Sequence, residues 1–137
     1  MAGAAAMCTR AALRAGAGLT TVACPESCLP ILQTLAPEAM CIPLPETDGA
    51  LNADAAPLLR DALRGKTAVA AGCGLSMRAS GECVRVILES GLPAMLDADA
   101  LNLIAQDASL RKLLHSHCAL TPHPGEAARL NGGMRPT

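Results

Sequence analysis

Apolar positions along this chain follow two alternating patterns, a helical stripe and a short continuous run. The clearest stripe lies in residues 77–90, where one face carries four apolar side chains, Cys83, Val84, Ile87 and Leu88. Charged residues occupy the opposite face, so this segment predicts an amphipathic helix. Gly91 and Pro93 follow the stripe and are typical of a helix end.

Other segments predict helices from the same spacing, together with capping residues. Ala-rich residues 4–15 stop at Gly16, and Pro30 fits the first turn of a helix over residues 27–35. Asn52 or Asp54 can cap a helix that has Pro57 in its first turn. Its predicted inner stripe consists of Leu58, Leu59, Ala62 and Leu63. Three more helices are predicted through Leu101 and Ile104, after a cap at Asp107, and over residues 125–130.

Short β-branched or apolar runs between these helices predict strands. They are residues 19–23, 39–44, 67–71, 93–96 and 118–121. Strands that alternate with helices at short intervals favour an α/β fold with a mostly parallel sheet. Ligands of such sheets bind beyond the carboxyl ends of the strands.

Composition narrows the possible partners. The chain has no Phe, Tyr or Trp, so it offers no aromatic platform on which single-stranded nucleic acid can stack. Its net charge of −1 comes from mixed acids and bases, and no basic stripe is present. No apolar run reaches the length of about 18 residues that a membrane helix needs. We therefore expect no nucleic acid, no membrane partner and a cytoplasmic location.

The seven cysteines predict reduced, small core residues rather than a disulfide framework, because their number is odd. One alternative is a zinc site built from five side chains: Cys24, Cys28, His115, His117 and Cys118. Their spacing does not follow the paired-ligand pattern of structural zinc sites, so we predict no metal there.

Three short stretches should lie at the carboxyl edge of the sheet. The first, residues 72–76, reads Gly-Cys-Gly-Leu-Ser and directly follows an apolar strand. Its glycines allow a ligand close to the backbone, and the next helix start attracts phosphate. A tight turn between strand and helix explains the same residues without a ligand.

The second stretch places Asp97 and Asp99 at a strand end, with Asn102 shortly after them. Two carboxylates in this position can orient a hydroxyl, a ribose or hydrated Mg²⁺. Alternatively, Asp99 only caps the following helix.

The third stretch holds His123 between Pro122 and Pro124, followed by Glu126. Each proline restricts the backbone on its side, so the imidazole is held in place at a strand end. A histidine there can donate, accept or carry a proton.

Four strings in this order resemble the carbohydrate-kinase-like family of NAD(P)H-hydrate dehydratases. They are GAAAMCTRAALRAGAGLTTVACPES at residues 3–27, PEAM at 37–40, LDADALN at 96–102 and LTPHPGEAARL at 120–130. The resemblance implies a ribokinase-like three-layer sandwich with a mostly parallel central sheet, incomplete in this chain. We expect a partial domain over residues 1–131 and an unstructured tail over residues 132–137.

The resemblance also implies an activity, a lyase that repairs hydrated NADH and NADPH by removing water at the expense of ADP, giving AMP and phosphate. The implied cofactors are ADP, or ATP in some relatives, and Mg²⁺, and family members commonly form homo-oligomers. The residues implied to contact the hydrated dinucleotide are Ala4, Gly72, Gly74 and His123. Those expected to line the site are Asp99, Asn102 and Glu126.

Two departures from the family pattern affect these expectations. The family loop usually reads Gly-Pro-Gly-Leu-Gly, and here Cys73 and Ser76 replace the proline and the last glycine. The Gly-Thr-Gly-Asp string that carries the family's catalytic aspartate does not occur, so no catalytic residue is assigned. We therefore expect a fragment with little turnover of its own. The alternatives are a small-molecule kinase of the ribokinase superfamily and a non-catalytic remnant.

Overall fold

A computed structural model of the chain describes residues 1–132, which form seven α-helices and seven strands. The helices are α1 Ala2–Arg14, α2 Leu29–Leu35, α3 Ala55–Ala62, α4 Gly81–Glu89, α5 Ala98–Gln106, α6 Ala108–Arg111 and α7 Pro124–Leu130. The strands are β1 Thr21–Pro25, β2 Met40–Leu44, β3 Glu46–Thr47, β4 Ala50–Leu51, β5 Val69–Ala71, β6 Ala94–Leu96 and β7 Cys118–Leu120. A 3₁₀ turn, Glu26–Cys28, precedes α2. The predicted tail lies, apart from Gly132, outside the described residues.

The longer strands pair in parallel, which confirms the predicted α/β class. Strand β1 pairs with β2, and β5, β6 and β7 form a second parallel sheet in that order. Strands β3 and β4 form a small antiparallel hairpin, which lies between the two parallel sheets in the sequence. All five predicted strands are present; the first is shifted at both ends and each of the others at one end.

The hairpin is absent from the elements predicted above. Each of its strands has only two residues, too few to show an alternating pattern. Its turn is Asp48-Gly49, and both residues have positive φ, 50° and 75°. Asp-Gly is a preferred pair for such a two-residue turn, and this local signal would have revealed it.

Two apolar cores hold the sheets and helices together. The smaller core packs α1 and α2 against β1, through Ala6, Cys24 and Leu32. The larger core lies on the other face of β1 and β2 and continues beneath β5, β6 and β7. Its most buried large side chains are Leu44, Val84, Leu96, Leu101, Ile104 and Leu110. The β1–β2 pair thus lies between two helical layers, as a three-layer sandwich requires.

Two details of the predicted helices are wrong. The helix predicted from residue 77 begins at Gly81, because the Ser80 amide donates to the Leu51 carbonyl at 2.8 Å and the Ser80 hydroxyl caps α4. Leu58, predicted to face inward, is 47% exposed, since α3 buries Ala55, Ala56 and Leu59 instead.

Several local predictions are confirmed. Pro30 lies in the first turn of α2, Gly16 with φ 103° follows the end of α1, and the Asp107 carboxylate caps α6 by accepting the Ser109 amide at 2.7 Å. Asp54 occupies the cap position of α3, but its side chain makes no cap bond. None of the helices within residues 1–132 is long and apolar enough to cross a membrane.

Candidate functional site at the carboxyl edge of the second sheet

The three stretches singled out in the sequence begin at one edge of the β5–β6–β7 sheet. The last residues of these strands, Ala71, Leu96 and Leu120, are in register across the sheet. The Asp97 amide donates to the Ala71 carbonyl at 3.0 Å, and the Thr121 amide donates to the Leu96 carbonyl at 3.2 Å. Because the strands are parallel, the segments that leave them start side by side. We call this edge the carboxyl edge.

Residues 72–76, the glycine loop, form a tight turn at the carboxyl edge. The Leu75 amide donates to the Gly72 carbonyl at 3.1 Å, and φ is positive at Gly72, Gly74 and Ser76. A Cβ at Gly72 would overlap the Asp97 carbonyl and lie 2.9 Å from the Ala100 side chain. The loop therefore packs tightly against the end of β6, and only glycine fits at residue 72.

The start of α1 adjoins the same loop through Met1. Gly74 lies against the backbone of Met1, and its carbonyl accepts a hydrogen bond from the Met1 amino group. Ala4 lies in the first turn of α1, where its amide donates to the Met1 carbonyl at 3.2 Å. Two predicted dinucleotide contacts that are 70 positions apart in the sequence, Ala4 and Gly74, thus both adjoin Met1.

The acidic strand end is bound to the glycine loop. The Asp99 carboxylate accepts the Ser76 amide at 2.8 Å, and the Asp97 carboxylate accepts the Cys73 thiol at 3.7 Å. Asp97, rather than Asp99, occupies the cap position of α5, and its side chain makes no cap bond there. The alternative that Asp99 only caps the helix is therefore wrong.

Cys73 is a neutral hydrogen-bond donor in this arrangement. Burial first, then the neighbouring Cys8 and the Asp97 carboxylate, raise the pKa of its thiol to about 11. At physiological pH the thiol keeps its proton, so the carboxylate of Asp97 has a donor close to it. Sequence reasoning missed this contact, because Cys8, Cys73 and Asp97 come from three separate segments.

His123 occupies the cap position of α7, directly after β7. Its Nδ1 accepts the Gly125 amide at 3.0 Å, while the buried Glu126 carboxylate accepts the His123 amide at 3.0 Å. The His123 Nε2 lies 3.4 Å from the second oxygen of Glu126. An imidazole nitrogen accepts a hydrogen bond only without a proton, so this capping box requires the neutral ring with its proton on Nε2. The side chain remains 62% exposed at the carboxyl edge.

Asn102 joins two helices behind His123. Its side-chain oxygen accepts the Arg129 Nε at 2.8 Å, which ties α5 to α7. This bond engages the amide oxygen and connects Asn102 to α7, the helix that His123 caps. Glu126, 6% exposed, supports the backbone of His123 in the same way.

The five residues considered for zinc do not form a metal site. Residues 1–132 contain no group of three or more His, Cys, Asp or Glu side chains placed to hold a metal ion. Cys24 lies in the smaller core, where burial first, then Cys41 and Cys28, raise the pKa of its thiol to about 11. All seven cysteines are free, and two of them, Cys24 and Cys83, are buried.

Comparison with known proteins identifies similar chains. A family model described as NAD(P)H-hydrate dehydratase matches residues 1–135. The bifunctional NAD(P)H-hydrate repair enzyme Nnr of Moorella thermoacetica is 44% identical over 133 residues, which make up 95% of this chain and 25% of that protein. The ADP-dependent (S)-NAD(P)H-hydrate dehydratase of Streptococcus thermophilus is 35% identical and is matched over 95% of this chain and 45% of its own length.

A solved structure of a dehydratase is also similar to this chain. The ADP/ATP-dependent NAD(P)H-hydrate dehydratase of Bacillus subtilis, co-crystallized with ATP/Mg²⁺ and soaked with CoA, superposes with a TM-score of 0.68 at 28% identity. The match covers 96% of this chain and 44% of that one. The chain thus spans less than half the length of each of these three relatives.

Proposed function

This chain belongs to the NAD(P)H-hydrate dehydratase family, and we propose that it forms the part of the dehydratase domain that binds hydrated NADH or NADPH. The complete reaction would remove the added water at the expense of ADP, giving AMP and phosphate. The observation that supports this proposal most directly is the convergence of the glycine loop, the acidic strand end and His123 at one carboxyl edge.

The glycine loop and α1 would hold the phosphates of the dinucleotide. Positive φ at Gly72 and Gly74, separated by Cys73, gives the loop the alternating backbone of an anion-binding turn. Ala4 lies in the first turn of α1, which adjoins the loop through Met1, and its methyl side chain is small enough to leave room for the ligand. The carboxylates of Asp97 and Asp99 are both bound to donors of the loop, which reduces their repulsion of a phosphate.

His123 would contact the nicotinamide half of the ligand. Its capping bonds fix the ring position before a ligand arrives, which lowers the ordering cost of binding. Glu126 and Asn102 would take part only by holding His123 and α7 in place.

The described residues do not supply a recognisable site for ADP. Residues 1–132 lack a set of three metal-ligating side chains, and the 137-residue sequence lacks the Gly-Thr-Gly-Asp string. We therefore assign no step of ADP chemistry to these residues. We expect the purified chain to bind hydrated NADPH without turning it over when ADP and Mg²⁺ are added.

Calorimetric titration with acid-generated hydrated NADPH tests the proposal. His123→Ala should weaken binding roughly tenfold, as loss of a hydrogen bond and a packed ring predicts. His117→Ala is the matched control, because His117 is an exposed histidine that precedes β7 and so lies at the opposite edge of the sheet. Equal affinities of the two variants, or no binding by the unaltered chain, would reject the proposed site.

A second assay follows the near-ultraviolet absorbance of NADH in the presence of hydrated NADH and ADP. Rapid recovery of absorbance by the chain alone would show that the nucleotide site is complete, against our expectation. Phosphate retained on a stable product instead of released would favour the kinase alternative.

We propose a cytoplasmic location and homo-oligomeric assembly of the enzyme to which this segment belongs. Size-exclusion chromatography with light scattering measures assembly directly, and a monomer at micromolar concentration would contradict it.

A further inference from the structure

Ser76 adopts a backbone conformation that serine rarely takes. Its φ is 82°, in the left-handed region that glycine enters without a steric penalty. It is one of three residues with side chains and positive φ within residues 1–132, together with Asp48 and Ala98. A residue in this conformation needs surrounding contacts that hold it there.

The strongest of those contacts comes from Asp99. The Ser76 amide donates to the Asp99 Oδ2 at 2.8 Å, and both residues are half-buried. Hydrogen bonds to a carboxylate are stronger than bonds between neutral groups. The Ser76 hydroxyl accepts the Arg78 amide at 3.2 Å, and its carbonyl accepts the Ala79 amide at 3.1 Å, so the turn after residue 76 is also fixed.

Asp99 is itself held rigidly. It lies in the first turn of α5, next to the fully buried Ala100 and Leu101. The start of a helix favours a negative charge, which suits a carboxylate at this place. Asp99 therefore links a fixed helix to the one strained side-chain-bearing residue of the glycine loop.

From this geometry we propose that Asp99 is a positioning residue, which keeps Ser76 in the left-handed conformation and so shapes the glycine loop for the dinucleotide. The inference takes its ligand from the proposed function, whereas the Asp99–Ser76 contact does not depend on that function. Without the carboxylate, Ser76 would relax toward negative φ and shift the Leu75 and Gly74 amides that precede it.

A rescue experiment separates positioning from direct ligand contact. The Asp99 Oδ1 has no hydrogen-bond partner among residues 1–132, so a direct contact with the ligand is the alternative to be excluded. Asp99→Ala should weaken the affinity for hydrated NADPH roughly tenfold, the effect of losing one charge-assisted hydrogen bond. Asp99→Asn should retain most of the affinity, because its amide oxygen can still accept.

Adding Ser76→Gly to Asp99→Ala should restore most of the lost affinity, because glycine takes the positive φ without help. Asp107→Ala is the matched control, since the Asp107 carboxylate also accepts a backbone amide, that of Ser109, at a helix start away from the loop. This control should leave the affinity unchanged. Failure of Ser76→Gly to rescue, in variants with equal melting temperatures, would overturn the inference in favour of direct contact.

Amide NMR spectra test the contact without any ligand. Asp99→Ala should move the amide resonances of residues 74–76, and Ser76→Gly in the same chain should return those of Gly74 and Leu75. If the unaltered chain does not bind hydrated NADPH, the proposed function fails while these spectra still decide the positioning role. Unchanged resonances of Gly74 and Leu75 in Asp99→Ala would overturn it.

Discussion

The two parallel sheets of this chain differ in how they are covered. The β1–β2 pair has helices on both faces, with Val22 and Cys41 toward the smaller core and Ala23 and Ile42 toward the larger one. The β5–β6–β7 sheet faces the larger core through one side only. On its other side, within residues 1–132, Ala70 and Ala119 of its outer strands are exposed.

Because of this difference, the larger core supports the site, whereas the site itself lies at the strand ends. The helices of the larger core, α4 and α5 among them, fix the strands whose ends carry the glycine loop, the two aspartates and His123. The relatives are more than twice as long as this chain, and parallel sheets in complete domains are covered on both faces. The open face of the second sheet is therefore the surface on which this chain and a complete domain should differ most.

The largest expected effect compares two alanines on opposite faces of the second sheet. Ala94→Lys places a charge in the larger core, where Ala94 is 3% exposed, and should lower the free energy of unfolding by about 4 kcal/mol. Ala119→Lys, on the open face, should change it by less than about 0.5 kcal/mol. Urea denaturation measures both. Similar losses would mean that the open face is covered in solution.

The next largest effect is the loss of stability from a cavity in each of the two cores. Leu96→Ala in the larger core should cost about 3 kcal/mol, because a fully buried leucine leaves a cavity among packed side chains. Leu32→Ala in the smaller core should cost about 2 kcal/mol, since α1 and α2 can close over the gap. Hydrogen exchange should show that Leu32→Ala speeds amide exchange only in α1, α2 and β1. A global change from Leu32→Ala would contradict the division into two cores.

A smaller effect concerns the cap of α7 at the carboxyl edge. His123→Ala removes the acceptor of the Gly125 amide and should cost about 1 kcal/mol. His123→Asn keeps a capping acceptor and should cost less, although both variants lose the imidazole. Thermal denaturation measures the stability of both variants, and titration with hydrated NADPH measures their affinity. If the asparagine variant binds as well as the unaltered chain, His123 is only a cap.

The smallest effect is a pH dependence at α6, away from the carboxyl edge. The Ser109 hydroxyl first, then its amide, lower the pKa of Asp107 below the ordinary 3.8. A lowered pKa in the folded state adds stability above pH 3.8 that is lost as the pH falls through the folded value. The melting temperatures of the unaltered chain and Asp107→Ala should therefore converge in acid. A constant difference across that range would contradict the assignment.

Much of the fold could be predicted from local patterns. The buried stripe of α4, the cap at Asp107 and the proline in α2 each depend on residues within a few positions of one another, and each is confirmed. The start of α4 could not be predicted in this way. It depends on Leu51, 29 positions earlier, whose carbonyl accepts the Ser80 amide.

The same distinction holds at the candidate site. The sequence alone determined that a glycine turn, an acidic pair and a proline-flanked histidine each follow a strand, because strand and turn signals are local. Only the tertiary structure decided which groups touch: Asp99 binds the amide of Ser76 and Gly74 lies against Met1. Such contacts depend on how strands 20 or more positions apart come into register, and the packing of buried side chains from several segments sets that register.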